Sequence, residues 1–316
     1  MSQTWQNLSP DSVLDRLEAT LNIKLSNVCI KRNSYINRVY EVTRIDTGEG
    51  LIAKFYRPGR WTPSQIQTEH DLITKLSAAD IAVIPPLLFA GKTLFTVNEF
   101  SFAVFPKKGG RAVDEFDKDT WLQVGRLLGR VHLTSQSLGA VNRVQWRPSV
   151  ATKQHLAILK QTETVTPEFR SAFFKLAENF VRDCDPLFEN SDALLIHGDC
   201  HKGNFIYRPG EGIYLIDFDD IAVGPAVQDL WMLLPGDPKD CENELAWFLE
   251  GYETFREFPI ESLRLIPALR AMRIIHFAAW CAVQANEPEF EDNFPDWGKG
   301  RYWNELMREL QDLMTY

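Results

Sequence analysis

The stretch LLIHGDCHKGNF, residues 194 to 205, carries an apolar strand-like run up to His197 and then offers Gly198, Asp199 and, five residues after the Asp, Asn204. An ionised carboxylate can accept a proton. Carboxylate and amide oxygens are hard donors of the kind a magnesium ion takes. The loop between Asp199 and Asn204 reverses direction, so both side chains can face one cleft. The plainer alternative is a surface turn, where Asp and Asn are favoured for backbone reasons of their own. A second acid adds to the pattern: YLIDFDD puts Asp217 at the end of another apolar run, thirteen residues after Asn204. Asp219 and Asp220 follow. They either join a metal site and its surroundings or are ordinary acids, the solvated or capping reading being preferred for Asp220. Far upstream, LIAKFY places Lys54 mid-strand, and Glu69 lies fifteen residues on in a helical pattern. Their bland alternative is a snorkelling edge-strand lysine and a surface glutamate.

The elements that must position these groups fall into two blocks. LSPDSVLDRLEATL (8–21) reads as a first helix, capped by Ser9 with Pro10 next. VCIKR (28–32), RVYEVTR (38–44) and LIAKFY (51–56) read as strands, the first two joined by the polar turn NSYIN. TPSQIQTEHDLITKLSA (62–78) is helical, and TLFTVNEFSFAVFP (93–106) resembles a hairpin. PKKGGR (106–111) interrupts the pattern and marks a hinge. Beyond it, helical spacing dominates at 117–135, 166–183, 227–234, 242–255 and 261–284, with one β island around the two acidic motifs. Trp231, Phe277 and Trp280 recur in helical stripes and read as core.

The chain has 316 residues, 45% of them apolar, and a formal charge of -9. Those numbers suit a two-lobed globular protein. A net acidic chain is a poor match for a nucleic-acid backbone. No stretch approaches eighteen unbroken apolar residues, and the first residues lack a signal-like core, so the expectation is a cytoplasmic protein with no membrane partner. Five cysteines without C-x-x-C spacing favour reduced thiols.

Protein kinases use these groups in this order. In H-R-D-x-x-x-x-N the Asp accepts the substrate hydroxyl's proton and the Asn holds magnesium. A following Asp-Phe-Gly supplies a second metal ligand, and a third-strand Lys oriented by a helix Glu grips phosphates. Here Asp219 stands where that Gly would be. The phosphate-loop position, NSYINRVYEV (33–42), has no glycine, although Asn33, Ser34 and Asn37 offer side-chain donors.

HGDCHKGN, LIDFDD, GRLLGRVH and GPAVQDLWML resemble the aminoglycoside phosphotransferase and choline kinase superfamily. NSYINRVYEV, AKFYRPGRWTPSQIQTEH, FAVFPKKGGR, GPAVQDLWMLLPGD and LRAMRIIHFAAW are narrower, and are similar, in the same order, to a bacterial Ser/Thr protein kinase branch within it. The resemblance spans nearly the whole chain. It implies an α+β, two-lobed protein-kinase-like fold. Residues 1–106 would form the nucleotide-binding lobe with a helical extension, and 107–316 the catalytic and substrate lobe. Asp199 would be the base, with Asp217 as a second catalytic acid. Asn204 and Asp217 would bind Mg2+. Ser34 would contact ATP, which Lys54 and Glu69 would help hold. A glycine-poor nucleotide loop is usual in that family.

The expected activity is ATP- and Mg-dependent phosphorylation of protein Ser or Thr in a stress response, with the enzyme itself a possible acceptor. One alternative is a small alcohol as acceptor, such as choline, homoserine or an aminoglycoside; Asp219, Asp220 and NEPEFEDNF (286–294) leave a pocket for cationic amines open. Another is a kinase-like binding module. Asp229 would hydrogen-bond the catalytic loop, or serve only as a helix N-terminal acid. Cys200, beside an acid, reads as inert. His201 could touch substrate or orient the loop. Arg57, Arg60, Lys107, Lys108, Arg111 and Lys202 could meet phosphates or an acidic partner, or be plain surface.

Overall fold

A computed structural model of the chain describes residues 5, 8–113, 115–138, 141–287 and 290–314. Residues 288 and 289 of NEPEFEDNF, and most of MSQTWQN, lie outside the described residues.

The first helix, α1 (Pro10–Leu21), begins where the Ser9 hydroxyl accepts from the Ser12 amide at 3.3 Å. Its Val13, Leu17 and Leu21 are buried. Three antiparallel strands follow: β1 (Ile30–Arg32), β2 (Arg38–Thr43) and β3 (Gly50–Phe55). Helix α2 (Pro63–Ala78) starts in a full capping box, Thr62 with Gln65, which satisfies two otherwise unpaired amides. The hairpin β4 (Phe95–Val97) and β5 (Phe100–Pro106) completes a five-stranded sheet in the order β1-β2-β3-β5-β4.

Alternation along β3 decides which face each side chain meets. Leu51, Ala53 and Phe55 point into a core that α1 covers from below. Lys54 points the other way. It pairs with Val39 on β2 and Ala103 on β5, so it lies on a central strand and not at an edge.

After the short β6 (Arg111–Ala112) the chain is mainly helical. Helices α3 (Lys118–Ser135), α4 (Lys153–Thr162) and α5 (Pro167–Cys184) lead into β7 (Leu194–Ile196) and the hairpin β8 (Phe205–Arg208) and β9 (Gly212–Leu215). Strand β10 (Ala222–Gly224) pairs back on β7. Then come α6 (Gln228–Trp231), α7 (Glu242–Tyr252), α8 (Ile266–Gln284), α9 (Phe290–Asn293) and α10 (Gly300–Leu313). The glycines of GRLLGRVH have a packing role. A Cβ at Gly125 or Gly129 would collide with the backbone of α7 at Phe248 and Tyr252, so α3 and α7 touch backbone to backbone.

Two expectations need correction here. The 227–234 helix is only four residues long, because Pro235 and Gly236 stop it. The run Ile260–Gln284 is long and apolar enough by length and composition to cross a membrane, contrary to the reading above. In this fold just over half of it is buried, and it contributes Met272, Ile275 and Ala278 to the core.

Candidate active site

The loop after β7 is held from beneath by one buried acid. The Asp229 carboxylate accepts from the amides of His197 at 2.7 Å and Gly198 at 2.8 Å, and faces His132 Nε2 at 3.0 Å. Gln228 Nε2 donates to the Gly198 carbonyl at 3.0 Å. The His197 ring donates from Nε2 to the Ile216 carbonyl at 2.9 Å and packs edge-on against Phe218, which joins the two acidic motifs. Gly198 has φ of 83°, and a Cβ there would strike the Asp220 carbonyl; only glycine serves. Asn204 Nδ2 donates to the Asp199 carbonyl at 2.8 Å, and the Ile216 amide donates to the Asn204 carbonyl at 3.0 Å.

Replacing Asp229 with Ala would leave two buried amides without acceptors, at about 1–3 kcal/mol each. We expect a denaturation midpoint well below the parent's and little transfer activity. Parent-like values of both would show that the loop holds itself.

On this frame Ser34, Lys54, Glu69, Asp199 and Asp217 line adjoining cavities, and Asn204 is buried against the Asp199 carbonyl. Asp199 Oδ1 lies 2.8 Å from Arg273 Nη2, and Oδ2 lies 3.6 Å from His201 Nε2. Burial pushes the Asp199 carboxyl up, but His201 and Arg273 more than offset it and hold the group well below the usual carboxylate range. Asp217 sits in left-handed backbone, φ 62°, with its side chain 56% exposed to the cleft. Lys54 Nζ reaches Glu69 at 3.8 Å and Asp217 at 3.4 Å, and makes its shortest contact with Asp219. Burial opposes the charge on Lys54, but these acids, Asp219 first, hold its pKa above the ordinary value. Glu69 is almost fully buried, and burial pushes its carboxyl up to about 8 despite Lys54.

Asp219 is therefore the main partner of Lys54, and it also accepts from Asn37 Nδ2 at 2.5 Å. Asp220 is not simply solvated: it pairs with Arg60 at 2.6 Å. Both acids are neutralised by cations because this turn folds back under α2. Buried Arg143, which sequence reasoning missed, locks the turn by donating to the carbonyls of Asp219, Ile221 and Gln65.

Three cavities adjoin along the cleft. One of about 310 Å³ is lined by Ser34, Val39, Ile52, Lys54, Glu69 and Asp217. The next, about 340 Å³, holds Asp199 and Asp217 together with Ser34, Arg273, His276 and Trp280. The third, about 430 Å³, is lined by Trp61, Trp146, His155, Arg273, His276 and Trp280. Phe277 and Trp280, read above as core, are corrected by this geometry. Phe277 is 38% exposed, and both rings line the cleft. On α8 the core face is Met272, Ile275 and Ala278, while Arg273, His276 and Trp280, at three- and four-residue spacing, form the other face. Trp231 is half-buried, its Nε1 donating to Gln228 Oε1 at 3.0 Å. Arg273 was also missed; an arginine inside the apolar run RAMRIIHFAAW was the available signal.

Cys200 is fully buried, and burial pushes its thiol well above the ordinary range, as an unreactive cysteine requires. Lys107 pairs with Glu41 at 2.5 Å and Arg57 with Glu287 at 3.0 Å, so neither is a plain solvated charge.

The donors present fit a divalent cation. With its nitrogen engaged by Asp199, Asn204 offers its hard amide oxygen. Asp217 presents a half-exposed carboxylate to the cavity that Asp199 also lines. Two such donors suit magnesium, which keeps several waters.

A phosphotransferase enzyme family model matches residues 30–266. The chain is 36% identical over 306 residues to stress response kinase A of Escherichia coli K12, covering 95% of this chain and 90% of that one. It is 35% identical, with the same coverage, to the serine/threonine protein kinase RdoA of Salmonella typhimurium. Among solved structures, amicoumacin kinase hAmiN in complex with AMP-PNP and Ca2+ superposes with a TM-score of 0.78 at 22% identity, covering 100% of this chain and 96% of that one. That likeness makes the fold kinase-like.

Proposed function

This chain belongs to the phosphotransferase enzyme family, and on that premise we propose that it is an ATP- and Mg2+-dependent kinase acting on Ser or Thr of a protein segment, in a bacterial stress response. The observation that carries the reading is the shared cavity: Asp199 and Asp217 border one space, next to a second space where Lys54, Glu69 and Ser34 converge. ATP occupies that second space in this reading, its adenine among Val39, Ile52 and other apolar residues. Ser34 contacts it in place of a glycine loop. We set the lobe boundary after β5, at 106/107, and a reaction drawing on ATP suits the cytoplasm.

Asn204 and Asp217 would hold magnesium, whose charge offsets that of the transferring phosphoryl group when bound. Lys54 aligns the phosphates, and Glu69 orients Lys54. Asp199 receives the acceptor hydroxyl's proton. The protein acceptor is supported by the name of the 35% identical relative, a serine/threonine protein kinase, and the stress response by the name of the 36% identical one.

A second reading, a small alcohol as acceptor, has one observation in its favour: the aromatic chamber of about 430 Å³ beside Gly198. The cationic-amine version is not supported, because Asp219 and Asp220 are already paired with Lys54 and Arg60. Labelled ATP decides the matter. The protein-kinase reading expects acid-stable phosphate on Ser or Thr of a generic basic protein or of the enzyme, absent in Asp199→Asn. Vigorous labelling of one small alcohol, with no protein label, overturns it and leaves the phosphotransferase site standing.

Lys54→Ala would slow transfer more than Glu69→Ala, since the ammonium meets phosphate charge directly and the carboxylate only orients it. The double variant should be far less impaired than the product of the single losses. Fully multiplicative losses would mean that the pair does not act as a unit.

A further inference from the structure

The Asp199 backbone is held on several sides. Its carbonyl accepts from Asn204 Nδ2 at 2.8 Å and from the His201 amide at 3.0 Å, and Asp229 holds the preceding residue. Those contacts place the Cα. They do not decide how the carboxylate turns about its own side-chain bonds. The nearest charge on the carboxylate itself comes from elsewhere in the chain: Arg273 Nη2 on α8 lies 2.8 Å from Oδ1 as an ion pair without hydrogen-bond geometry, while His201 Nε2 lies 3.6 Å from Oδ2. Oδ1 is shut off from solvent. The exposure that remains, 22% of the side chain, falls on its other atoms, Oδ2 among them. Arg273 pairs with no other carboxylate among the described residues. It lines both the cavity that holds Asp199 and the aromatic chamber next to it.

We propose that Arg273 is a positioning residue for phosphoryl transfer: by pairing with Oδ1 it turns Oδ2 of Asp199 toward the acceptor hydroxyl. The inference rests on the reading of Asp199 as the base. In the step, the acceptor O–H bond breaks and its proton passes to Oδ2. The acceptor oxygen forms the new bond to phosphorus. The bond from phosphorus to the bridging oxygen breaks, its electron pair leaving with the nucleoside diphosphate. Asp199 then gives the proton to solvent. An ion pair on Oδ1 weakens a carboxylate as a base, so the benefit of Arg273 must come from orientation. Misplacing a reacting group by about 1 Å can cost about a hundredfold.

The test measures kcat for transfer, KM for ATP, Mg-nucleotide affinity and melting midpoint in Arg273→Ala, Arg273→Lys and Asp199→Asn, and in the double variant of Arg273→Ala with Asp199→Asn. Expected is a fall in kcat of about tenfold to a hundredfold in Arg273→Ala, with nucleotide affinity and melting midpoint unchanged. Arg273→Lys should recover part of the rate, because an ammonium keeps the charge but not the planar fork. The double variant should be no slower than Asp199→Asn alone, since Arg273 acts only through that carboxylate. If Arg273→Ala does not fold, Arg273→Gln, which keeps much of the stem, takes its place. Parent-like kcat in the Arg273 variants, losses that multiply in the double variant, or a kcat loss matched by lost nucleotide affinity would overturn the inference. Parent-like rates in Asp199→Asn would instead remove the base assignment beneath it.

Discussion

Asp199→Asn lowers phosphoryl transfer by about a hundredfold to ten-thousandfold, the usual cost of losing a general base, while Mg-nucleotide binding stays near the parent value. The carboxylate borders the acceptor-side cavity and not the one that holds Lys54 and Glu69, so its loss falls on the acceptor proton and not on ATP. The substitution is nearly isosteric, and the loop's main supports are other groups: Asp229 and Gln228 on Gly198, and Asn204 on the Asp199 carbonyl, which Asn retains. The variant should therefore fold. Single-turnover transfer from labelled ATP, with nucleotide affinity measured by titration, checks both halves. Parent-like transfer would remove Asp199 from the mechanism.

Asp217→Ala has a different signature: nucleotide affinity in the presence of magnesium and the rate fall together. Asp217 borders both the nucleotide-side and the acceptor-side cavities, and its carboxylate is the more exposed of the two proposed metal donors. Removing it breaks the link between protein, cation and phosphates. We expect at least a tenfold weaker magnesium-dependent component and a rate loss comparable to that of Asp199→Asn. Lys54 keeps Asp219 and Glu69 as partners, so magnesium-free nucleotide binding should change little. Titrations that match the parent with and without magnesium would show that the metal ligand lies elsewhere.

That Asp199, Asp217, Lys54 and Glu69 lie along adjoining cavities was legible in the sequence because each sits at a place where local rules are strong. Apolar runs end at His197 and Asp217, Lys54 interrupts an apolar strand, and Glu69 falls inside a well-capped helix. Asp229 was legible for a similar reason, as an acid at the start of a helix. Family and kinase-like fold were equally readable, because NSYINRVYEV, HGDCHKGN and LIDFDD keep both residue type and spacing. What those signals could not contain was pairing between distant segments. Lys54 meets Asp219 across 165 positions, and Asp199 meets Arg273 from a helix whose periodicity looked like core. Arg60 takes up Asp220, and Arg143 ties the same turn to α2. A carboxylate's partner depends on which cation folding brings within about 4 Å, and Coulomb attraction at that range outweighs any preference written in the neighbouring residues. Tertiary structure also decided the two faces of α8. Apolar spacing marks a stripe, but whether Phe277 and Trp280 meet the core or a cleft depends on what α8 packs against, and here the cleft lies on their side.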